Sequence, residues 1–150
     1  MSYPYHEYHK DYIDGQWRCW YDFGNGALGD WGAHLIDGFH QFLNLGLPTK
    51  IEPTKIVGHN NFFYPQSSTL KFSFPKRGIM PKVNVTWYDG VDNLPELPKD
   101  YGGLEIDTTI KANKGMVRPK PHTLRPGKVI YGKDLTFKGG SHHRLSLIHI

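Results

Sequence analysis

The sequence has very little cysteine and no long apolar stretch. Cys19 is its only cysteine, which excludes an intrachain disulfide and a cysteine-based zinc site. No apolar run approaches the roughly 18 residues that a membrane-spanning helix needs. The opening residues, MSYPYHEYHKDY, lack the basic and apolar regions of a signal peptide. We therefore expect no membrane partner and no fold that depends on disulfides.

The sequence also lacks a concentrated block of charge. Its net charge of +4 comes from 18 Lys and Arg residues against 14 Asp and Glu, and the basic residues are spread along the chain. Nucleic-acid-binding surfaces are built from clustered basic residues, so no nucleic-acid partner is expected. The 150 residues, of which 38% are hydrophobic, suffice for one core and are too few for two ordinary domains.

The pattern of apolar residues predicts one helix followed by strands. Apolar side chains recur at three- and four-residue spacing over residues 28–45, which predicts an amphipathic helix that ends at Gly46 and Pro48. Alternating apolar residues predict strands, and the short links between the first three suit antiparallel neighbours. The predicted strands are residues 51–59, 69–74, 83–88, 129–131 and 135–137, with a long loop after Asp89. We expect an α+β fold, a mostly antiparallel open sheet with the helix covering one face.

Both ends of the chain look non-native. Residues 145–150, LSLIHI, resemble the translation of a sequencing-library adapter, although a native apolar strand is the alternative. The opening stretch has no predicted element of its own. We therefore expect a fragment truncated at both ends, with residues 1–144 as its native domain.

Gly24, Gly26 and Gly29 spell G-x-G-x-x-G directly before the predicted helix. This spacing is the fingerprint of a dinucleotide-binding turn when a buried strand precedes it and further strand–helix units follow. The preceding residues, WRCWYDF, could form that strand, but they lack the β-branched side chains of a strand buried on both faces. Asp30, in the expected first turn of the helix, would compete with a pyrophosphate. The sequence therefore predicts no Rossmann domain and no cofactor site in this chain.

Polar residues form a second pattern on the predicted helix. Asp30, His34, Asp37 and Gln41 follow one another at steps of four, three and four, which places them on one face. Asp30 can accept a hydrogen bond from the His34 ring and so prepare it as a general base. A capping acid beside a solvated histidine is the structural alternative. A metal site would need a further ligand such as His40 or His59, and no metal is expected.

The stretch WRCWYDFGNGALGDWGAHLID resembles the start of the C-terminal domain of the glucose–fructose oxidoreductase / inositol dehydrogenase / MocA (Gfo/Idh/MocA) family. TWYDG at 86–90 and PGKVIYGKDLTFKGGSH at 126–142 resemble later segments of its bacterial branch. The family pattern G-G-x-x-x-D-x-G-x-H maps onto residues 25–34, with Asn25 in place of the first glycine. The resemblance covers nearly all of residues 1–144.

The resemblance implies a nicotinamide-dependent oxidoreductase acting on a sugar, polyol or related hydroxyl compound. It implies that His34 is the proton acid/base and that Asp30 binds and orients the substrate. NAD or NADP would be held mainly by an N-terminal Rossmann domain outside this chain, which would also supply a lysine to the site. The open sheet face would mediate homo-oligomerisation. The fragment alone is expected to be inactive.

Further residues are candidates for the substrate site. Arg18, Trp17 and Trp20 precede the glycine turn and can line a sugar pocket, with core packing as the alternative for at least one tryptophan. Asp37 can bind a substrate hydroxyl. Gly26 could lie near the reactive end of the cofactor. The alternatives are a non-catalytic sugar-binding or assembly module and a NAD-dependent glycosidase of the same family. A cytoplasmic location is expected, or a periplasmic one if a segment upstream carries an export signal.

Overall fold

The computed structural model describes residues 5–12, 16–90, 93–96, 127–140 and 146–148. The chain forms two compact units, Met1–Pro95 and Glu96–Ile150. The described part combines helix with antiparallel strands, which confirms the expected mixture of the two. None of its helices is long and apolar enough to cross a membrane. The long loop expected after Asp89 lies mostly outside the described residues.

In the part of the first unit that the structure describes, there are one long helix and three strands. Two 3-10 helices, Lys10–Tyr12 and Gln16–Cys19, precede the helix. The long helix, α1, spans Gly26–Phe42. The strands are β1 (Lys50–Val57), β2 (Ser67–Phe74) and β3 (Val83–Asp89). These elements confirm the predicted helix and strands, with ends that differ by up to three residues. The segment WRCWYDF is not a strand, because it forms a 3-10 helix and a turn.

The three strands form an antiparallel sheet in the order β1-β2-β3. Pro53 lies on β1, and an edge strand tolerates proline because one side of its backbone needs no partner. The register shifts between Pro53 and Lys55, so Thr54 is an extra residue in β1. Ile51 pairs with Phe72 and Ile56 pairs with Ser68. The extra residue therefore keeps both isoleucines on the same face of the sheet.

That face is covered over β2 and β3 and open over β1. Phe74 on β2 and Trp87 on β3 are buried, and the His40 ring of α1 lies 6.1 Å from the Phe74 ring, centroid to centroid. On β1, Ile51 and Ile56 are 56% and 45% exposed. The helix therefore contributes to a core over part of the sheet and leaves the edge strand uncovered.

The helix ends in a hydrogen-bonded C-terminal motif. Asn44 adopts a left-handed conformation with φ 46°, and its N–H donates to the carbonyl of Gln41. The N–H of Leu45 donates to the carbonyl of His40, and the Leu45 side chain is only 1% exposed. This is a Schellman motif with asparagine at the position that glycine usually takes. The helix therefore ends at Phe42, three residues before the predicted end.

The described residues of the second unit form three short antiparallel strands. They are β4 (Gly127–Tyr131), β5 (Thr136–Gly140) and β6 (Ser146–Ile148). The strands β4 and β5 contain the two predicted strands 129–131 and 135–137 in large part and form an antiparallel hairpin, and β6 pairs with β5. The strand β6 lies inside residues 145–150, whose remaining three residues are outside the described part.

Candidate functional site

The segment before α1 is attached to the loop between β1 and β2. Trp20 and Phe63 form an antiparallel bridge. The N–H of Tyr21 donates to the carbonyl of Phe62, and the N–H of Tyr64 donates to the carbonyl of Cys19, both at 2.9 Å. These bonds fix the path of the chain into the helix, so the side chains before and within the first turns of α1 are held together.

The three glycines of the turn are explained by close packing inside the chain. A Cβ at Gly26 would lie 2.7 Å from the Tyr64 ring, and the φ of +70° at Gly26 also favours glycine. A Cβ at Gly24 would lie 2.6 Å from the Cα of Arg18. A Cβ at Gly29 would overlap the side chain of Asn25. The chain's own atoms therefore fill the space beside each glycine, and a larger side chain would require its neighbours to move.

Asp30 lies further into the helix than the sequence suggests. The helix begins at Gly26, so Gly29 lies inside it and does not precede it. Asp30 is therefore past the first turn, and the expectation that it occupies that turn is corrected.

Asp30 is paired with Arg18. The Arg18 Nε donates to Asp30 Oδ2 at 2.7 Å, and both side chains are partly exposed. The Arg18 guanidinium also stacks on Trp17, with Cζ 4.6 Å from the ring centroid. A guanidinium held by a carboxylate on one side and an aromatic face on the other is oriented at two points. The three side chains form one polar and aromatic unit beside the start of α1.

His34 lies one turn beyond Asp30 and is exposed. Its ring is 6.0 Å from the Trp31 ring, which it meets edge to face. Within the described part of the chain, no hydrogen bond joins Asp30 to His34. The partner of the carboxylate is instead Arg18, a permanently charged donor.

The remaining predicted residues differ in their surroundings. Asp37 and Gln41 are exposed on the helix face that carries His34. The ring of His40 lies 2.8 Å from the carbonyl of Gly46, so this histidine is used at the helix end. Among the described residues, no group of three or more His, Cys, Asp and Glu side chains is arranged to hold a metal ion. His59 is exposed at the end of β1.

Two features near the sheet were not anticipated from the sequence. The carboxylate of Asp89 accepts from the Ser68 hydroxyl and from Trp87 Nε1, each at 2.8 Å. Asn93 is buried and donates to the carbonyl of Ser68 at 2.8 Å and to that of Asp89 at 3.0 Å. These bonds satisfy buried polar groups at the end of β3. The sequence signal at this place was the Asp89–Gly90 pair in WYDG, which predicts a turn but not these hydrogen bonds.

Comparison with protein-family models gives no match to this chain, and a search of curated proteins gives none either.

Proposed function

We propose that this chain is the substrate-handling part of a nicotinamide-dependent oxidoreductase that acts on a sugar, polyol or related hydroxyl compound. The observation that carries the proposal is the Arg18–Asp30 ion pair, stacked on Trp17 and placed one helical turn before His34. The resemblance to the Gfo/Idh/MocA family, in which these positions fall on the site, supports the same function. The α+β domain with an open sheet is proposed on that resemblance too.

The pair of Arg18 and Asp30 suits a ligand that carries several hydroxyl groups. A guanidinium donates hydrogen bonds and a carboxylate accepts them, so together they can bind neighbouring hydroxyls. Because the two charges offset each other, the unit has no strong preference for an anion. Trp17 adds an aromatic surface, one face of which is occupied by the guanidinium. We propose that Asp37 extends the same surface along the helix face.

His34 is proposed to exchange the proton of the substrate hydroxyl. An exposed imidazole on a regular helix is accessible to substrate and can accept or donate a proton through its ring nitrogens, as an acid/base requires. Asp30 is held by Arg18, so its role is to bind and orient the hydroxyl group one turn away. A bound nicotinamide supplies the acceptor for the hydrogen that leaves the carbon with its electrons.

The cofactor is proposed to bind mainly to a Rossmann domain that is not part of the 150 residues. The packing of Gly24, Gly26 and Gly29 supports this proposal, because the chain's own atoms account for all three glycines without a bound cofactor. Gly26 is buried against Tyr64, so we assign it to packing at the helix start. NAD and NADP remain equal candidates.

Self-association is proposed through the uncovered part of the sheet. Ile51 and Ile56 are exposed on the same face of β1, and grouped exposed apolar side chains are typical of contact surfaces. A second copy of the chain is the proposed occupant, in line with the oligomers that the family resemblance implies.

The experiment is a comparison of His34→Ala with His59→Ala in the protein joined to its cofactor-binding domain. His34→Ala should lower kcat for sugar or polyol oxidation by roughly 100-fold or more, because general acid–base catalysis contributes about that factor. His59 is an exposed histidine outside the helix, and its replacement should leave kcat unchanged. Near-parental turnover by His34→Ala would contradict the proposal. A parent that binds sugar without oxidising it would indicate a non-catalytic module, and one that cleaves glycosides would indicate a glycosidase.

A further inference from the structure

The N-terminal segment forms an open groove apart from the residues proposed for the reaction. The groove has a volume of about 360 Å³ and is lined by Glu7, Tyr8, His9, Tyr12 and Trp20. Small-molecule sites typically combine aromatic walls with a few polar groups that fix the orientation of the ligand. Three aromatic side chains beside a carboxylate and an imidazole match that composition.

Two of the aromatic rings make a fixed corner. Tyr12 and Trp20 lie 5.0 Å apart, centroid to centroid, with their planes at 85°. Tyr12 also packs against Phe23 at 5.1 Å, and Trp20 against Phe63 at 5.2 Å. Because these contacts hold both rings in place, little ordering is needed when a ligand enters, which favours binding.

The chemistry of the corner selects a ring that is apolar on one face and hydroxylated at its edge. The C–H face of a pyranose can pack on an aromatic ring, and the carboxylate of Glu7 can accept hydrogen bonds from hydroxyl groups. The negative charge of Glu7 opposes a phosphate or carboxylate on the ligand. A nucleotide or a sugar acid is therefore disfavoured relative to a neutral sugar.

We propose that this groove binds a neutral carbohydrate, with one pyranose ring packed in the corner of Tyr12 and Trp20 and covered by Tyr8. Trp20 is the one lining residue that is also a candidate for the substrate site. Neither Arg18, Asp30 nor His34 lines the groove, so the proposal does not depend on the proposed reaction. Tyr8 is 77% exposed, so its ring has most of its surface available to a ligand. A proline-rich peptide also binds aromatic grooves, but an extended peptide needs a longer surface than one corner.

The experiment is an NMR titration of the full chain with methyl glucoside and with cellobiose. Binding should shift the backbone amide signals of residues 7–12 and of Trp20. Tyr8→Ala should weaken binding about tenfold, the factor that corresponds to one aromatic contact. Tyr5→Ala is the matched control, because Tyr5 is 89% exposed on the same segment and does not line the groove. It should leave the affinity unchanged.

Charge and ligand class are tested in the same titration. Methyl glucuronide differs from methyl glucoside by a carboxylate and should bind several-fold more weakly because of Glu7. The proposal is overturned if neither neutral sugar shifts these amides, if Tyr8→Ala binds as tightly as the parent, or if methyl glucuronide binds more tightly. Shifts produced by a polyproline peptide and not by the sugars would also overturn it, in favour of peptide binding.

Discussion

Individual residues at the start of α1 show which contacts a sequence can reveal. The spacing of Asp30 and His34 predicts that both lie on one helix face, because helical periodicity is a local property. The partner of Asp30 is Arg18, twelve positions earlier, and this pair depends on the 3-10 helix that carries Arg18. A contact across a non-periodic turn has no sequence signature, so it could not be predicted.

Gly26→Ala tests whether the glycine turn is shaped by packing. The substitution adds a Cβ 2.7 Å from the Tyr64 ring at a φ of +70°. Gly46→Ala is the matched control, because Gly46 has a φ of +67° with no atom within 4 Å of the added Cβ. Both should lose roughly 1–2 kcal/mol of unfolding free energy from the left-handed conformation. Gly26→Ala should lose about 1–3 kcal/mol more from overpacking.

The measurement is urea-induced unfolding of the full chain and both variants. The comparison requires that the slope of unfolding free energy against urea concentration be equal in all three. Equal losses in the two variants would contradict close packing of Tyr64 on Gly26.

At the level of elements, the helix and strands were predictable and their ends were less so. The alternation in β2 and β3 and the apolar stripe of α1 are strong periodic signals. The helix end differs because Gly46 and Pro48 look like the natural stop, whereas Asn44 makes the Schellman motif. Glycine is the usual residue at this position because it adopts the left-handed conformation more readily than asparagine does. An asparagine there is therefore a weaker signal of a helix end in the sequence.

Asn44→Gly is therefore expected to stabilise the protein. Glycine adopts the φ of 46° seen at Asn44 without strain, and the unfolding free energy should rise by about 0.5–1 kcal/mol. Asn44→Ala should lower it by roughly 1 kcal/mol. Asn84→Gly is the control, since Asn84 is exposed within β3 and glycine should destabilise a strand there by about 0.5–1 kcal/mol. Thermal unfolding that ranks Asn44→Ala above Asn44→Gly would contradict the assigned motif.

At the level of the whole molecule, composition predicts that the chain has a hydrophobic core but does not predict which strands of the sheet that core covers. The expected helix contacts the sheet near Phe74, and β1 stays exposed along nearly its whole length. The extra residue Thr54 places Ile51 and Ile56 on one face. No periodic pattern predicts a bulge, because its effect is to break the alternation that the pattern uses.

The proposed self-association depends on this exposed face of β1. The double variant Ile51→Lys/Ile56→Lys should convert an oligomer to monomer, because it places two charges in the apolar contact. Val57→Lys is the control: Val57 is 47% exposed on β1 but pairs with Ser67, on the opposite face. Sedimentation equilibrium reports the mass of each. A parent that is already monomeric, or a double variant that stays oligomeric, would contradict self-association through this face.

The most direct test of the central claim is rescue of His34→Ala by added imidazole, measured as kcat for sugar or polyol oxidation in the protein joined to its cofactor-binding domain. If His34 exchanges the substrate proton, imidazole should enter the vacated space and raise the turnover of His34→Ala about tenfold or more, since a mobile base replaces part of the lost catalysis. The parent and His59→Ala should not respond. A His34→Ala variant that loses turnover and gains none with imidazole would contradict the acid/base role and indicate a structural one.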